Sequence, residues 1–164
     1  MTTVCSSKRS SSGQKQQVVP GDVRRRSVVY NLLHTAGYLR RFYAELFDTR
    51  GITLTQYNVL CILRGAGLGG LPTLEVAARM FDQTPGITRL LDRLEVKRLV
   101  RRQRPSSNRR QVVCSITGKG VKLLDSLDAL VGRRAEAAVQ MLDGSEVDAL
   151  LQSLARIRKG SPRT

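Results

Sequence analysis

The fold is decided by residues 84–97, which read TPGITRLLDRLEVK. Thr84 followed by Pro85 is a favoured helix start, since the hydroxyl caps the helix and proline suits its first position. Apolar side chains then recur every three to four residues on one face, while small and basic residues occupy the other. The pattern predicts a short amphipathic helix that buries its leucines and exposes a polar surface.

A second short helix is predicted just before it, at residues 74–80, with Thr73 as its N-cap. Only about three residues separate the two helices, and this spacing is typical of the helix-turn-helix unit that reads DNA with its second helix. The candidate base-contacting residues of that second helix are Gln83, Thr84, Gly86, Thr88, Arg89 and Arg93.

Two of these candidates have a specific chemical argument and an alternative. Arginine donates two parallel hydrogen bonds to guanine, so Arg89 and Arg93 are suited to base recognition, whereas threonine and glutamine contacts are more permissive. The alternative is a surface ion pair, of Arg89 with Asp92 or of Arg93 with Asp92 or Glu95. For Gly86, close approach of the backbone to DNA and simple tolerance in a first helical turn are both open.

The period of the apolar pattern changes from 3.6 to 2 after Leu99. Residues 100–104 and 111–116 bracket the turn sequence Pro-Ser-Ser-Asn, which predicts a β-hairpin with arginines at its turn. A hairpin in this position after a helix-turn-helix is a wing, and Arg104 is a candidate wing contact.

Long amphipathic helices flank this central region. One is predicted at residues 28–47, and two more carry the apolar positions of 121–142 and 147–157. A capping box of Thr53 and Gln56 opens a further helix that runs to about Leu63. The central region is too small to cover the apolar faces of the flanking helices, so two copies packed as a homodimer are expected. A monomer with an ordinary helical core is the alternative.

These elements predict a mainly α fold with a small β-hairpin wing: a winged helix-turn-helix domain flanked by N- and C-terminal dimerisation helices. The expected divisions are a disordered basic, Ser-rich arm at 1–20, a dimerisation helix at 21–50, the DNA-binding domain at 51–117, dimerisation helices at 118–159 and a tail at 160–164.

Charge points to a polyanionic partner. The chain has 164 residues and a formal net charge of +15, and residues 97–110 contain seven basic residues and no acidic one. Double-stranded DNA is the expected partner because the basic run follows the helix-turn-helix. The alternatives are a non-specific architectural DNA- or RNA-binding protein and a merely solvated basic surface.

Other classes lack their usual residues. No stretch is apolar enough for a membrane span or a signal peptide, so no membrane association and a cytoplasmic, nucleoid-associated location are expected. Three distant cysteines and a single histidine offer no disulfide framework, metal site or catalytic triad. The glycines at 65–70 lack the lysine of a phosphate-binding loop. We therefore expect no enzyme activity, no metal and no cofactor.

Several segments in this order and spacing resemble the MarR (multiple antibiotic resistance regulator) family. They are Gly51–Leu60, Leu74–Met80, Thr88–Val100, Asn108–Arg110 and Ser115–Gly120, and the resemblance covers about residues 25–158. It implies a dimeric winged helix-turn-helix regulator, usually a repressor that binds a pseudo-palindromic operator and is released by a small ligand or by cysteine oxidation.

The resemblance also assigns residues to the wing. The family's Asp-X-Arg pattern falls on Asn108, Arg109 and Arg110, so Arg110 is expected to enter the minor groove, while Asn108 lacks the charge of the usual aspartate.

Regulation is a further expectation from the family. Its ligands tend to bind near the first two helices, where the candidates are Tyr30, His34, Tyr38, Arg41 and Tyr57. A small aromatic acid is the expected effector, since His34 or Arg41 suits its carboxylate, and ordinary packing of these side chains is the alternative. Oxidation is the competing switch, but Cys61 and Cys114 lie in patterns that predict packed side chains, and nothing positions Cys5.

Overall fold

The computed structural model describes residues 21–81, 86–105 and 111–160, with the backbone alone at residues 21 and 22. The predicted arm, the residues Thr84 and Pro85, and the wing turn that contains Asn108, Arg109 and Arg110 lie outside these ranges. The described chain divides after Gly37 into two compact units, residues 21–37 and 38–160, so the division falls inside the first helix.

The described residues form six α-helices, one short 3-10 helix (Gly67–Gly69) and three short strands. In chain order the α-helices and strands are α1 (Gly21–Asp48), α2 (Leu54–Gly65), β1 (Leu71–Pro72), α3 (Thr73–Arg79), α4 (Ile87–Val96), β2 (Val100–Gln103), β3 (Val113–Ile116), α5 (Gly118–Val139) and α6 (Gly144–Gly160). The predicted fold class, mainly helical with a β-hairpin wing, is confirmed. Within the described ranges, no helix is both long and apolar enough to span a bilayer.

Local sequence explains where several helices begin. Thr53 accepts a hydrogen bond from the Gln56 backbone N–H, and the Gln56 side chain accepts one from the Thr53 N–H, so the predicted capping box is confirmed. Asp143 and Glu146 form the same reciprocal arrangement before α6. Thr117 caps α5 by accepting from the Gly120 N–H.

The prediction that Thr73 caps α3 is wrong. Thr73 is the first residue of that helix, Pro72 precedes it, and the Thr73 N–H and hydroxyl both donate to the carbonyl of Val112. The cause is a strand that the sequence analysis did not predict. Leu71 and Pro72 pair with β3 in a three-stranded antiparallel sheet of order β1-β3-β2, and this pairing engages Thr73.

The hydrophobic core of residues 38–160 lies beneath the helix-turn-helix. Leu91 and Leu94 of α4 are completely buried, as predicted, and pack in one cluster with Leu60 and Leu63 of α2 and with Leu124 of α5. Burial of each leucine contributes roughly 1.5–3 kcal/mol. This packing fixes which face of α4 points away from the core.

Candidate nucleic-acid interface

The outward face of α4 carries the described candidates for base contact. Thr88, Arg89 and Arg93 are exposed, on the side of the helix opposite the buried Leu91 and Leu94. Helical spacing places residues 89 and 93 one turn apart, so their guanidinium groups share one edge of this face. Gln83 and Thr84 lie outside the described residues.

Gly86 precedes α4 with a φ of +104°, a backbone conformation that glycine adopts far more readily than other residues. A Cβ added there would meet nothing within 4 Å, so conformation rather than crowding explains the glycine. Because Gly86 precedes the helix, tolerance in a first helical turn does not account for it, and close approach of its backbone to DNA stays a prediction. The prediction that the helix starts at Thr84 and Pro85 is wrong: Gly86 stands before the helix, α4 begins at Ile87, and the Leu90 N–H donates to the Gly86 carbonyl.

A groove of about 670 Å³ runs between the start of α2 and the outward face of α4. Its lining includes Thr53 and Thr55 on one side and Arg89 and Arg93 on the other. Hydroxyl and guanidinium donors of this kind are the groups that proteins use to hold DNA phosphates. No sequence signal singles out Thr55, because its place in this groove depends on the packing of α2 against α4.

The ion pairs of α4 differ from the alternative considered for its arginines. Asp92 and Glu95 both bind Arg102 of β2, at 2.6 and 2.5 Å from its Nη2. Among the described residues, Arg89 and Arg93 are in no ion pair. Their guanidinium groups therefore have no carboxylate partner in the part of the chain that the structure describes.

Arg102 also lies at this surface, although the sequence did not single it out. The signal was present in the two-residue period of β2, which places Arg102 on the same face as Val100. Val100 is 2% exposed, and Arg102 is only partly exposed. Arg102 also lines a second groove, of about 470 Å³, together with Thr73, Leu74 and Thr88.

The wing is described only in part. β2 and β3 pair antiparallel from Val100 opposite Ile116 to Gln103 opposite Val113, which confirms the predicted hairpin. Arg104 follows β2 directly and is exposed. Asn108, Arg109 and Arg110 lie outside the described residues, so their contacts with DNA stay predictions.

The candidate effector residues are distributed over both compact units. In residues 21–37, Tyr30 and His34 are exposed and their rings stack with centroids 6.1 Å apart. In the larger unit, Tyr57 stacks on the buried Phe47 at 4.6 Å, and burial is the main cause that raises its pKa. Its ring is therefore part of the packing of α2, which favours the alternative that the sequence left open for this residue.

Two other effector candidates, Tyr38 and Arg41, lie in α1 on the N-terminal side of Phe47. Tyr38 stacks on Phe42 at 6.0 Å, and Arg41 is exposed. Both precede Phe47 by about two helical turns.

The arrangement of α3, α4, β2 and β3 defines a winged helix-turn-helix protein. Comparison with known proteins refines that class. The family model described as "MarR family" matches residues 52–112. The chain is 32% identical to a MarR transcription factor from Planctomyces limnophilus, with a TM-score of 0.62, over 83% of this chain and 96% of that one.

Two further relatives agree. The transcriptional regulator TtmR of Methylorubrum extorquens is 35% identical over 130 residues, which is 79% of this chain, and the alignment spans 63% of the length of TtmR. A mutant of MarR from E. coli, solved in complex with operator DNA, is 26% identical with a TM-score of 0.70, over 79% of this chain and 92% of that one. The chain belongs to the MarR family, and the prediction of this family is confirmed.

Proposed function

We propose that the protein binds double-stranded operator DNA as a homodimer and represses transcription until an effector releases it. The observation that carries this proposal is the outward face of α4, where Thr88, Arg89 and Arg93 are exposed above a completely buried leucine face. The E. coli relative solved with operator DNA supports the same role for this chain.

The basic surface supplies the non-specific part of the affinity. Arg89 and Arg93 line a groove with two threonine hydroxyls, and Arg101 and Arg104 are exposed along the wing. Each phosphate neutralised by such a cation releases counterions, so affinity should fall steeply as salt rises. Base contacts from α4 then supply the sequence preference.

The homodimer is supported by apolar side chains that one chain leaves in water. In residues 21–37, Tyr30 is 69% and Leu33 is 71% exposed, and α6 contains no buried residue even though Leu150, Leu151 and Ile157 are apolar. Exposed apolar surface on long helices favours burial against a second copy. A two-fold dimer presents two α4 helices and therefore reads a pseudo-palindrome with half-sites about 34 Å apart. Because a regulator of this kind acts on chromosomal DNA, we expect it in the cytoplasm.

A small aromatic acid is the effector class that we propose. Within residues 38–160, the exposed Arg41 offers a cation for a carboxylate, and Tyr38 offers an aromatic ring about one turn away. Tyr30 and His34 stay predictions of the sequence. Titration of the operator complex with benzoic and pyridine carboxylic acids tests this part, and complexes that survive every acid at millimolar concentration would contradict it.

Selection of bound fragments from random duplex DNA tests the central proposal. The expected result is one enriched pseudo-palindrome that binds roughly a thousandfold or more tighter than random DNA at physiological salt. An architectural or RNA-binding protein would instead show little preference, or would prefer RNA.

Two variants connect that result to the interface. Arg89→Ala should cost about 1–3 kcal/mol of operator binding and relax the preference at one base pair, whereas Arg110→Ala should weaken binding to all sequences and lower the salt slope by about one unit. Arg133→Ala, an exposed arginine of α5, removes the same charge as a control. Unchanged binding by both Arg89→Ala and Arg110→Ala would remove the recognition-helix and wing assignments together.

A further inference from the structure

Arg102 joins the wing to the recognition helix through four contacts. Its backbone N–H donates to Glu95 Oε1 at 3.1 Å, and its Nε donates to Glu95 Oε2 at 2.8 Å. Its Nη2 lies 2.5 Å from Glu95 Oε2 and 2.6 Å from Asp92 Oδ1. One side chain of β2 therefore holds two carboxylates that are three residues apart on one face of α4.

The charge of Arg102 is already balanced inside the protein. Two carboxylates surround one guanidinium, whose side chain is 25% exposed, and the contact with Glu95 lowers the pKa of that carboxyl. A cation that is neutralised by carboxylates of its own protein does not neutralise a DNA phosphate, and so it releases none of the counterions condensed on the DNA. Within the basic run at 97–110, Arg102 thus differs from the exposed Arg101 and Arg104.

The chain between α4 and β2 turns sharply at this place. Arg98 has a φ of +61°, and the N–H groups of Arg98 and Leu99 donate back to the last turn of α4, to Glu95 and Leu94. The turn brings β2 back beside α4, and the contacts of Arg102 with Asp92 and Glu95 then hold β2 against that helix. Thr88, on the outward face of α4, lines the same groove as Arg102, so the Arg102 ion pairs lie at the junction between α4 and the wing.

We propose that Arg102 is a positioning residue for DNA recognition: it holds α4 and the wing in one fixed relation, so that major-groove and minor-groove contacts form together. This inference rests on the proposed function. If α4 and the wing moved freely relative to each other, ordering them on DNA would cost part of the free energy of binding. A preorganised arrangement avoids that cost. Specific binding needs α4 and the wing in the relative position that lets both reach their grooves, while non-specific binding to phosphates does not.

The test compares Arg102→Gln with Arg101→Gln, the adjacent exposed arginine of the same strand. Operator and random DNA are titrated at several salt concentrations. For Arg102→Gln we expect the ratio of specific to non-specific affinity to fall roughly tenfold, with no change in the salt slope on random DNA. For Arg101→Gln, which removes an exposed cation of the wing, we expect affinity for operator and random DNA to fall together and the salt slope to fall by about 0.9, so that the ratio stays as in the wild type. Arg102→Lys should recover part of the ratio, because it restores the charge without the two-point geometry.

Further outcomes decide against the proposal. A fall in the salt slope of about 0.9 for Arg102→Gln would make Arg102 a direct phosphate contact. An unchanged ratio in a folded variant, checked by circular dichroism, would leave it no role in recognition. If Arg102→Gln does not fold, Glu95→Gln is measured in its place, and it must lower the ratio without changing the salt slope. Failure of the wild type to prefer any operator would contradict the proposed function instead.

Discussion

The guanidinium of Arg64 on α2 and the carboxylate of Asp128 on α5 form a two-point hydrogen bond. Nη1 lies 3.0 Å from Oδ2, and Nη2 lies 3.3 Å from Oδ1. The two residues are 64 positions apart in the sequence. Their contact connects α2 of the winged helix-turn-helix domain to α5, the helix that follows this domain. Both side chains are partly in water, at 37% and 50% exposure, and this sets the scale of the first prediction.

Asp128→Asn should lower the free energy of unfolding by no more than about 1 kcal/mol, because solvent screens an exposed pair. Leu127→Ala, at the neighbouring and completely buried position, should cost about 2–5 kcal/mol. Urea unfolding measures both values. An Asp128→Asn variant as unstable as Leu127→Ala would show that the ion pair, and not the core, holds α5 to α2.

Gly70→Ala should be more destabilising than Gly67→Ala. Both glycines have a positive φ, +64° and +68°, and the ψ of −167° at Gly70 places that residue in a region of backbone conformation that is essentially restricted to glycine. A Cβ at Gly70 would also lie 2.3 Å from the Cys114 carbonyl oxygen of β3, whereas a Cβ at Gly67 meets nothing within 4 Å. We expect an additional cost of about 1–3 kcal/mol at Gly70. Equal stability of the two variants in urea would contradict the close approach of the glycine turn to the sheet.

The contribution of Glu95 to stability should depend on pH. The hydrogen bond from Arg102 holds the pKa of Glu95 below its ordinary value of 4.5, so the carboxylate stabilises the folded protein above that pH. The stabilisation is lost as the pH falls below 4.5 and through the lowered pKa. The difference in unfolding free energy between the wild type and Glu95→Gln should therefore be largest near neutral pH and shrink in acid. A difference that does not change with pH would contradict the assignment.

Peroxide should leave operator binding unchanged. Burial raises the pKa of both the Cys61 and the Cys114 thiol, and this disfavours the thiolate that reacts with oxidants. Cys114 is completely buried in β3. Gel shifts before and after peroxide treatment measure the effect, and Cys5→Ser removes the third thiol as a control. Loss of binding in peroxide-treated Cys5→Ser protein would show that one of the two packed thiols is a sensor.

Much of the fold could be predicted because its signals are local. The reciprocal hydrogen bonds of Thr53 and Gln56 need only three residues of spacing, and the buried face of α4 follows from the period of its leucines. The hairpin was visible because a β-branched run faces a two-residue alternation across a turn. The outward face of α4, and with it the candidates Thr88, Arg89 and Arg93, follows from the same periodicity.

The features that were missed depend on distant partners. β1 consists of two residues, too few for a period, and exists because Leu71 lies opposite Cys114 of β3. Thr73 was expected to cap α3, but its hydrogen bonds go to Val112, 39 residues away. For Arg102, the sequence showed one more arginine in a basic run, and only the return of β2 beside α4 brought it to Asp92 and Glu95.

The sequence by itself thus determined the family, the order of the helices and the face of α4 that is offered to a partner. Each of these features depends on residues only a few positions apart, the range over which helix geometry and capping act. The tertiary structure decided which charges remain available on that face. An arginine that is ion-paired and one that is exposed cannot be told apart in a sequence. Only the packing of α4 against the wing pairs Arg102 with Asp92 and Glu95, so that its charge is not available to a phosphate.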